Sequence, residues 1–350
     1  MDYMNTFKKF NQGLKEIPLA TTWLLNDIAE MKGRQKLYTN QSPHTLKVLK
    51  EHAIIESSVS SNRIEGVEID NKRIGTVIFG RQHLKDRNEE EIRGYREVLN
   101  LIHSEAEKLK LSTDLILKMH KIMRGDIWDA GQIKDRNSDI IETFPNGEQR
   151  VRFKTVSVEK TLEYLNNLIF DYNSSILDRK IPDLIGLASF NLDFLCIHPF
   201  RDGNGRISRL LLLEELYRFG IEAGRFVSLE KIIEETKEQY YETLEISSKG
   251  WHESNHDPWP YINYVLFILK ELYKSFESKF INLKSAKGTK TDSVIKAIKS
   301  FNKSFSIREL EFKCPGISRE MLRKVLKDLK KDNIVSCEGR GIVAVWKIIE

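Results

Sequence analysis

Residues 198–209 of this 350-residue chain read HPFRDGNGRISR, a short loop with a histidine at its entrance and two arginines at its exit. The preceding segment, 184–197, is apolar on almost every side, which is typical of a helix buried inside a domain. The leucine-rich segment 207–216 that follows also has a helical pattern. We therefore expect a loop between two core helices. Its glycines allow the backbone N–H groups to face an anion at the start of the second helix.

Four side chains of this loop indicate phosphate chemistry. Arg206 and Arg209 lie three positions apart, so both leave one face of the second helix near its N-terminus, where the helix dipole favours phosphate. Asp202 is a hard oxygen ligand of the kind that holds a phosphate-bridging Mg²⁺ ion. His198 can take up a proton near neutral pH. The four residues predict phosphoryl or nucleotidyl transfer, in which positioning and electrostatics supply most of the catalysis.

The pattern His-Pro-Phe-x-Asp-Gly-Asn-Gly-Arg-x-x-Arg resembles the signature of Fic (filamentation induced by cAMP) proteins, most of which transfer AMP from ATP to a hydroxyl group of a target protein. The resemblance implies that His198 deprotonates the Ser, Thr or Tyr hydroxyl and that Asp202 holds Mg²⁺ as the cofactor. The residues that it implies for the phosphates of the co-substrate ATP are Gly203, Asn204, Gly205, Arg206 and Arg209. In that assignment Arg206 contacts the β-phosphate and Arg209 the γ-phosphate. The alternative is a tight turn between two helices with a hydrogen-bonded histidine.

A second motif lies upstream, where residues 61–66 read SNRIEG. We predict a helix across Pro43–Gly66 that stops at Glu65, with Gly66 just past its end. Because Glu65 then faces the negative end of the helix dipole, it needs a cationic partner. Ser61, Glu65 and Gly66 resemble the Ser/Thr-x-x-x-Glu-Gly/Asn motif of the Fic class with an N-terminal inhibitory helix. The resemblance implies a bidentate Glu65–Arg209 pair that occupies the guanidinium needed by the γ-phosphate; the alternative is an ordinary cap with a solvated glutamate.

Two further elements resemble parts of Fic proteins. Alternating segments at 139–144 and 149–153 flank an Asn-Gly turn and predict a β-hairpin. It resembles the Fic flap, whose edge adds the target peptide as an extra strand. The residues concerned are Ile140, Ile141, Glu142 and Thr143. Tyr240 and Tyr241 resemble the element that borders the nucleotide base, and core packing is their alternative. For the hairpin, the alternative is a purely structural role. The Fic family often has arginine at the position of Lys134.

The C-terminal fifth of the chain is strongly basic. Residues 281–350 contain 16 Lys+Arg and 8 Asp+Glu, whereas the whole chain has a net charge of +5. Predicted helices at 292–301, 306–312 and 318–331, with strands at 334–337 and 342–348, fit a winged helix. In helix-turn-helix proteins the third helix enters the major groove of DNA. The candidate DNA contacts are Arg319, Arg323, Lys324, Lys327 and Arg340. A protein-binding role or a merely solvated basic face stays open.

The predicted fold is mainly α: a Fic-type helical bundle with a β-hairpin flap, followed by a small α+β winged helix. We expect an N-terminal helical region with the inhibitory helix at 1–110, a catalytic core at 111–282 and the winged helix at 283–350. Within the first region, helices are expected at 20–31, 43–66 and 89–110, with a polar connector at 71–87.

Composition limits where the protein works and what it binds. No apolar run reaches transmembrane length, the N-terminus has no signal pattern, and three widely separated cysteines suggest reduced thiols. We therefore expect a cytoplasmic protein with no membrane partner, and family resemblance suggests a homodimer.

The resemblance makes an autoinhibited protein adenylyltransferase the leading function, with ATP and a hydroxyl-bearing protein as substrates. One alternative is a DNA-binding regulator or toxin-like protein with a Fic sensing core. Another is the reverse reaction, removal of AMP from a modified target.

Overall fold

The computed structural model describes residues 5–12, 16–39, 43–80, 83–143, 146–285, 290–301, 303–314, 317–339 and 344–349. The α-helices in these ranges are α1 (Asn5–Gln12), α2 (Leu19–Thr39), α3 (Pro43–Ile64), α4 (Ile74–Phe79), α5 (Arg87–Glu105), α6 (Thr113–Arg124), α7 (Val158–Leu177), α8 (Asp183–Ile197), α9 (Asn204–Arg218), α10 (Leu229–Glu235), α11 (Lys237–Ser248), α12 (Trp259–Ser285), α13 (Lys290–Lys299), α14 (Ile307–Lys313) and α15 (Arg319–Lys331). The strands are β1 (Ile140–Thr143), β2 (Gln149–Phe153), β3 (Phe305–Ser306), β4 (Val335–Glu338) and β5 (Val345–Ile348). The predicted mainly helical class is confirmed.

Helix α8 lies in the middle of the larger hydrophobic core. It packs against α7, α9 and α12, and its residues from Ile185 to Ile197 are all buried, because the segment has no polar face to turn toward water. The same core contains Phe7, Ile28 and Leu49 from the three N-terminal helices. The inhibitory-motif helix α3 is thus packed on the core that carries the loop 198–203.

Several predicted element boundaries are wrong. Helix α2 extends to Thr39, well beyond the predicted 20–31, and α5 ends at Glu105. The polar connector predicted at 71–87 contains a 3₁₀ turn at Asn71–Arg73 and the short helix α4. Two side chains of α4, Val77 and Ile78, are fully buried in a small separate cluster, and this tertiary packing outweighs the polar local composition.

The helical segment between Leu229 and Ser248 is divided into α10 and α11. Thr236 lies between them with φ −115° and ψ 28°, outside helical geometry. Its hydroxyl donates to the Ile232 carbonyl, so the side chain satisfies a backbone acceptor at the end of α10. The break turns α11 so that Tyr240 and Tyr241 face the cavity described below.

The predicted hairpin is present as β1 and β2, which pair antiparallel with Ile141 opposite Val151. Phe144 and Pro145 lie outside the described residues. The register shifts between Ile140 and Ile141, and this irregularity bends the first strand. From β2, Arg150 reaches both Glu142 and Glu245 of α11, so ion pairs join the hairpin to that helix.

The C-terminal residues form a separate small core. Helices α13 to α15 pack with a three-stranded antiparallel sheet in the order β3-β5-β4. Strand β3 was not predicted, because two residues give no alternation to read. Arg340 and the start of the predicted strand 342–348 lie outside the described residues. Within the described ranges, the structure contains no helix that combines the length and hydrophobicity needed to span a bilayer.

Candidate active site

The loop after α8 is held in shape by its own polar side chain, Asn204. The Asn204 amide accepts from the Phe200 N–H at 2.9 Å and donates to the Phe200 carbonyl at 2.8 Å. The Phe200 ring stacks on His120, with ring centroids 3.8 Å apart. Gly203 has φ +86°, and a Cβ there would lie 2.6 Å from Cε of Met123. The positive φ favours glycine at 203, whereas the Met123 contact involves only the end of a flexible side chain.

His198 lies at the end of α8 in the left-handed region, with φ 53°. It lines the cavity beside the hairpin. Burial, and then the positive charge of Lys134, lower the pKa of His198 to about 4. Lys134 is itself buried, and its ammonium donates to Thr155 Oγ1 at 3.0 Å and to the Ile197 carbonyl at 3.1 Å. At neutral pH the imidazole is therefore uncharged and able to accept a proton.

Arg209 is fully enclosed by the inhibitory-motif segment. Its Nη2 donates to Glu65 Oε1 at 2.8 Å and to the Ser61 carbonyl at 2.9 Å, and its Nε donates to Ser61 Oγ at 2.9 Å. The contact with Glu65 is made through one carboxylate oxygen, so the bidentate geometry expected from the sequence is wrong. Ser61 binds Nε of the guanidinium and shares Nη2 with Glu65, while the buried Nη1 has no hydrogen-bond partner among the described residues. The Arg209 side chain is 2% exposed and that of Glu65 is 31% exposed.

The Glu65 carboxylate also lies over the start of α9. A Cβ at position 205 would overlap Glu65 Oε1, so only glycine leaves room for this oxygen. The first N–H groups of a helix have no intrahelical acceptors, and the helix dipole makes this end partly positive. Glu65 thus occupies the place where the loop was predicted to hold an anion. Helix α3 ends at Ile64, one residue earlier than predicted, and Gly66 has φ +80° in the turn that follows.

A cavity of about 730 Å³ opens beside these residues. Its lining combines the loop, the inhibitory motif, the hairpin and α11, including Glu65, His198, Gly205, Ile141, Tyr240 and Tyr241. Ile140 and Glu142 also line it, whereas the side chain of Thr143 lies outside the described residues. This volume lies in the range of cavities that hold drug-sized or cofactor-sized ligands. The Tyr241 hydroxyl donates to the Ile64 carbonyl at 3.3 Å, which ties the cavity wall to the end of α3.

Arg206 belongs to a buried ion-pair network that the sequence did not reveal. Its Nη1 donates to Glu91 Oε2 at 2.6 Å, and Arg124 Nη1 donates to Glu91 Oε1 at 2.8 Å. Arg124 is also paired with Asp129 at 3.0 Å. Arg206, Arg124 and Glu91 are each at most 2% exposed. The network fixes α5, α6 and α9 to one another around the loop.

One signal for this network is present in the sequence. Glu91 lies on the same face of α5 as Tyr95, Val98 and Ile102, all of which are buried, so it is an acidic residue on an apolar face. Its cationic partners, Arg124 and Arg206, lie 33 and 115 positions away along the chain. No local pattern indicates contacts over those separations.

Asp202, the predicted magnesium ligand, is already saturated. Its Oδ2 accepts from Arg87 at 2.8 Å and from Arg124 at 2.7 Å, while Oδ1 accepts from Arg206 at 3.1 Å and from the Gly203 N–H at 2.6 Å. An ionised carboxylate has about four acceptor positions. Burial alone would raise the pKa of Asp202, but Arg206 and Arg124 hold it below its usual value. As arranged, the residues do not fit a metal ion at Asp202, and no cluster of three metal-ligating side chains occurs among the described residues.

The loop 198–209 lies within a segment that is similar to known proteins. Residues 110–216 match the sequence model of the Fic/DOC family. The family resemblance predicted from the sequence is confirmed. A stretch of 158 residues is 30% identical to the protein adenylyltransferase fic-1 of Caenorhabditis elegans, and 162 residues are 30% identical to that of Caenorhabditis briggsae. Each alignment covers 45% of this chain and 27% of the relative, so the matched region spans about a quarter of those proteins.

Solved structures share the fold over a larger part of the chain. A Fic family protein from Desulfovibrio desulfuricans G20 superposes with a TM-score of 0.61 at 19% identity, over 97% of this chain and 98% of that one. Residues 134–508 of Fic-1 from C. elegans superpose with a TM-score of 0.57 at 22% identity, over 74% of this chain and 71% of that one. These similarities establish the fold of this protein.

The Glu91 network predicts a large stability cost for a nearly isosteric change. Replacing Glu91 with Gln keeps its shape but removes the charge between two buried arginines, so we expect the free energy of unfolding to fall by about 3 to 5 kcal/mol. Urea unfolding measures this. The matched control is Glu97→Gln on the exposed side of the same helix, for which we expect a change below about 0.5 kcal/mol. Equal effects of the two substitutions would show that the network contributes little.

Proposed function

We propose that this protein is an autoinhibited adenylyltransferase that transfers AMP from ATP to a hydroxyl group of a target protein or of itself. The neutral His198 takes the proton of a Ser, Thr or Tyr hydroxyl. The hydroxyl oxygen attacks the α-phosphorus of ATP, the bond from that phosphorus to the bridging oxygen breaks, and pyrophosphate leaves. Similarity to proteins named as adenylyltransferases supports transferase chemistry in general, and the details rest on this chain's own site.

The observation that carries the proposal is the position of Glu65. Its carboxylate is bonded to Arg209 and lies over Gly205 at the positive end of α9. The β- and γ-phosphates of ATP need the same guanidinium and the same helix start. Because two anions cannot share this small site, the bound carboxylate excludes the polyphosphate or holds the α-phosphate away from His198. This competition is the proposed inhibition.

The hairpin offers a place for the target. On the outer surface of the hairpin, Ile141 and Val151 form a cross-strand pair that is 53% and 51% exposed. An extended peptide that adds to the hairpin edge gains main-chain hydrogen bonds and covers this apolar pair. Since Ile141 and His198 line one cavity, a peptide there would bring a hydroxyl toward the imidazole. We propose the hairpin as the target-docking flap.

Removal of the competing carboxylate is the first test. We expect Glu65→Gly to increase AMP labelling from α-labelled ATP by about tenfold or more, since a charge-assisted hydrogen bond is worth at least about 1.5 kcal/mol. Adding His198→Ala should abolish the signal. Glu68→Gly, the same change three residues further on at another exposed glutamate, serves as the matched control and should leave labelling unchanged. No labelling of the protein or of a lysate above the His198→Ala background would contradict the proposal.

The pKa of His198 predicts an unusual pH profile. A base with a pKa near 4 stays uncharged down to about pH 5, so kcat/KM of the Glu65→Gly variant should not fall between pH 7.5 and 5.5 on account of this group. Lys134→Gln removes a positive charge that lowers the pKa of His198. In that variant the fall of kcat/KM on the acidic side should therefore begin at a higher pH. A midpoint near the ordinary histidine pKa of about 6.5, unchanged by Lys134→Gln, would contradict this account.

A second candidate function is DNA binding by the C-terminal unit, residues 290–349. The α15 helix presents Arg323, Lys324 and Lys327 on an exposed face, while Leu322, Val325 and Leu326 hold its other side in the small core. Arg319 is also exposed but pairs with Glu311 at 3.2 Å. These positive charges favour binding to the phosphate backbone of DNA. They do not by themselves recognise a base sequence. DNA binding and AMP transfer are compatible functions, because the C-terminal unit would bind DNA while the site around His198 carries out the transfer.

Salt dependence tests this second function on the full chain. We expect the logarithm of the duplex binding constant to fall linearly with log salt concentration. Changing Arg323, Lys324 and Lys327 together to Ala should reduce the magnitude of this slope by about three. Changing the exposed Lys32 and Lys36 of α2 to Ala controls for net charge and should leave the slope nearly unchanged. Equal slopes for wild type and the triple variant would overturn DNA binding through α15.

A further inference from the structure

The backbone takes an uncommon conformation at His198. With φ 53° and ψ 62°, this residue lies in the left-handed region, which residues other than glycine rarely adopt. Its N–H donates to the Phe194 carbonyl at 3.0 Å as helix α8 ends. Such a conformation persists only where the surrounding structure holds it in place. The direction of the imidazole therefore depends on what binds the backbone on either side of His198.

Lys134 binds that backbone on both sides. Its own N–H donates to the Pro199 carbonyl at 2.8 Å, and its ammonium donates to the Ile197 carbonyl at 3.1 Å. The Ile197 carbonyl belongs to the last turn of α8, where carbonyls have no intrahelical donor and the helix dipole favours a cation. Burial lowers the pKa of Lys134 to about 8, so the ammonium is still charged at neutral pH. One residue thus holds the carbonyls before and after His198.

The same ammonium reaches the base of the hairpin. It donates to Thr155 Oγ1 at 3.0 Å, and this hydroxyl donates to the Ser138 carbonyl at 3.1 Å. The Thr155 N–H donates to Asp139 Oδ1 at 3.2 Å. Because these residues lie just outside the paired ends of β1 and β2, their bonds close the base of the hairpin. Lys134 therefore joins that base to the backbone around His198.

We propose that Lys134 is a positioning residue, which fixes the direction of the His198 imidazole and its distance from a hydroxyl docked on the hairpin. Its side chain is 2% exposed and acts through backbone carbonyls rather than by contact with a substrate. The inference rests on the proposed function only in taking His198 as the base and the hairpin as the docking flap. Loss of the ammonium should misplace the base and leave the phosphate site intact, since Gly205 and Arg209 stand on a different element, α9.

Transfer kinetics in the Glu65→Gly background give the first measurement. We expect Lys134→Met to lower kcat by about tenfold to a hundredfold, the range for a misplaced catalytic group, while KM for ATP changes less than about twofold. Lys134→Arg keeps a charged donor and should recover most of the loss. Thr155→Val, which removes only the hydroxyl, should have a smaller effect, and the two effects should not add in the double variant.

Amide hydrogen exchange on the full chain tests the same contacts without AMP transfer. Lys134→Met should speed exchange of the His198 and Phe200 N–H groups by about tenfold, the scale of one charge-assisted hydrogen bond. The amides of residues 210–213, in the buried middle of α9, should exchange as in wild type. The matched control is Lys154→Met, because Lys154 lies beside the same hairpin base with an exposed side chain. It should change neither kcat nor exchange.

Unchanged exchange at His198 and Phe200 in Lys134→Met would overturn the inference. An equal rise at 210–213 would also overturn it, because that result indicates general destabilisation. Faster exchange confined to His198 and Phe200, without AMP labelling by Glu65→Gly, would reject the proposed function and keep Lys134 as the residue that positions the imidazole. Labelling by Glu65→Gly whose kcat is unchanged by Lys134→Met would do the reverse.

Discussion

The ion pair between Glu65 and Arg209 is the contact on which the proposed inhibition depends. One carboxylate oxygen lies 2.8 Å from a guanidinium that is buried and also bonded twice to Ser61. The same oxygen lies over Gly205, at the start of α9. A single side chain therefore neutralises the cation and covers the helix end, which are the two features that make the loop an anion site.

The rest of the site is built so that this loop cannot relax. Asn204 closes it through Phe200, Gly203 lets it pass close to Met123, and the buried network around Glu91 fixes the helices on which the arginines stand. The charges of that network are balanced: three arginines face Glu91, Asp129 and Asp202. Arg87 is 56% exposed and Glu65 is 31% exposed, so both side chains are more accessible than the buried Arg124 and Arg206.

The sequence predicted the parts of the site that lie close together along the chain. The loop at 198–203 and the helix start at Asn204 are present as predicted. The two arginines, predicted to act on one anion, have different partners: Arg206 pairs with Glu91 and Asp202, and Arg209 with Glu65 and Ser61. The Glu65–Arg209 contact was predicted by family resemblance, but its one-oxygen geometry was not, because it depends on how the end of α3 packs against a residue 144 positions away. The partners of Asp202 and Arg206 could not be predicted, because Arg87, Glu91 and Arg124 come from distant helices. Likewise α4 was missed, since its burial is determined by packing rather than by local polarity.

Nucleotide binding tests the central claim most directly, because it measures the competition for Arg209 without requiring a target. Calorimetry compares ATP and AMP binding to wild type and Glu65→Gln. The account predicts that the variant binds ATP about tenfold or more tightly, while its affinity for AMP, which has no β- or γ-phosphate, changes little. Equal affinity of the two proteins for ATP would show that the carboxylate at position 65 does not compete with the polyphosphate.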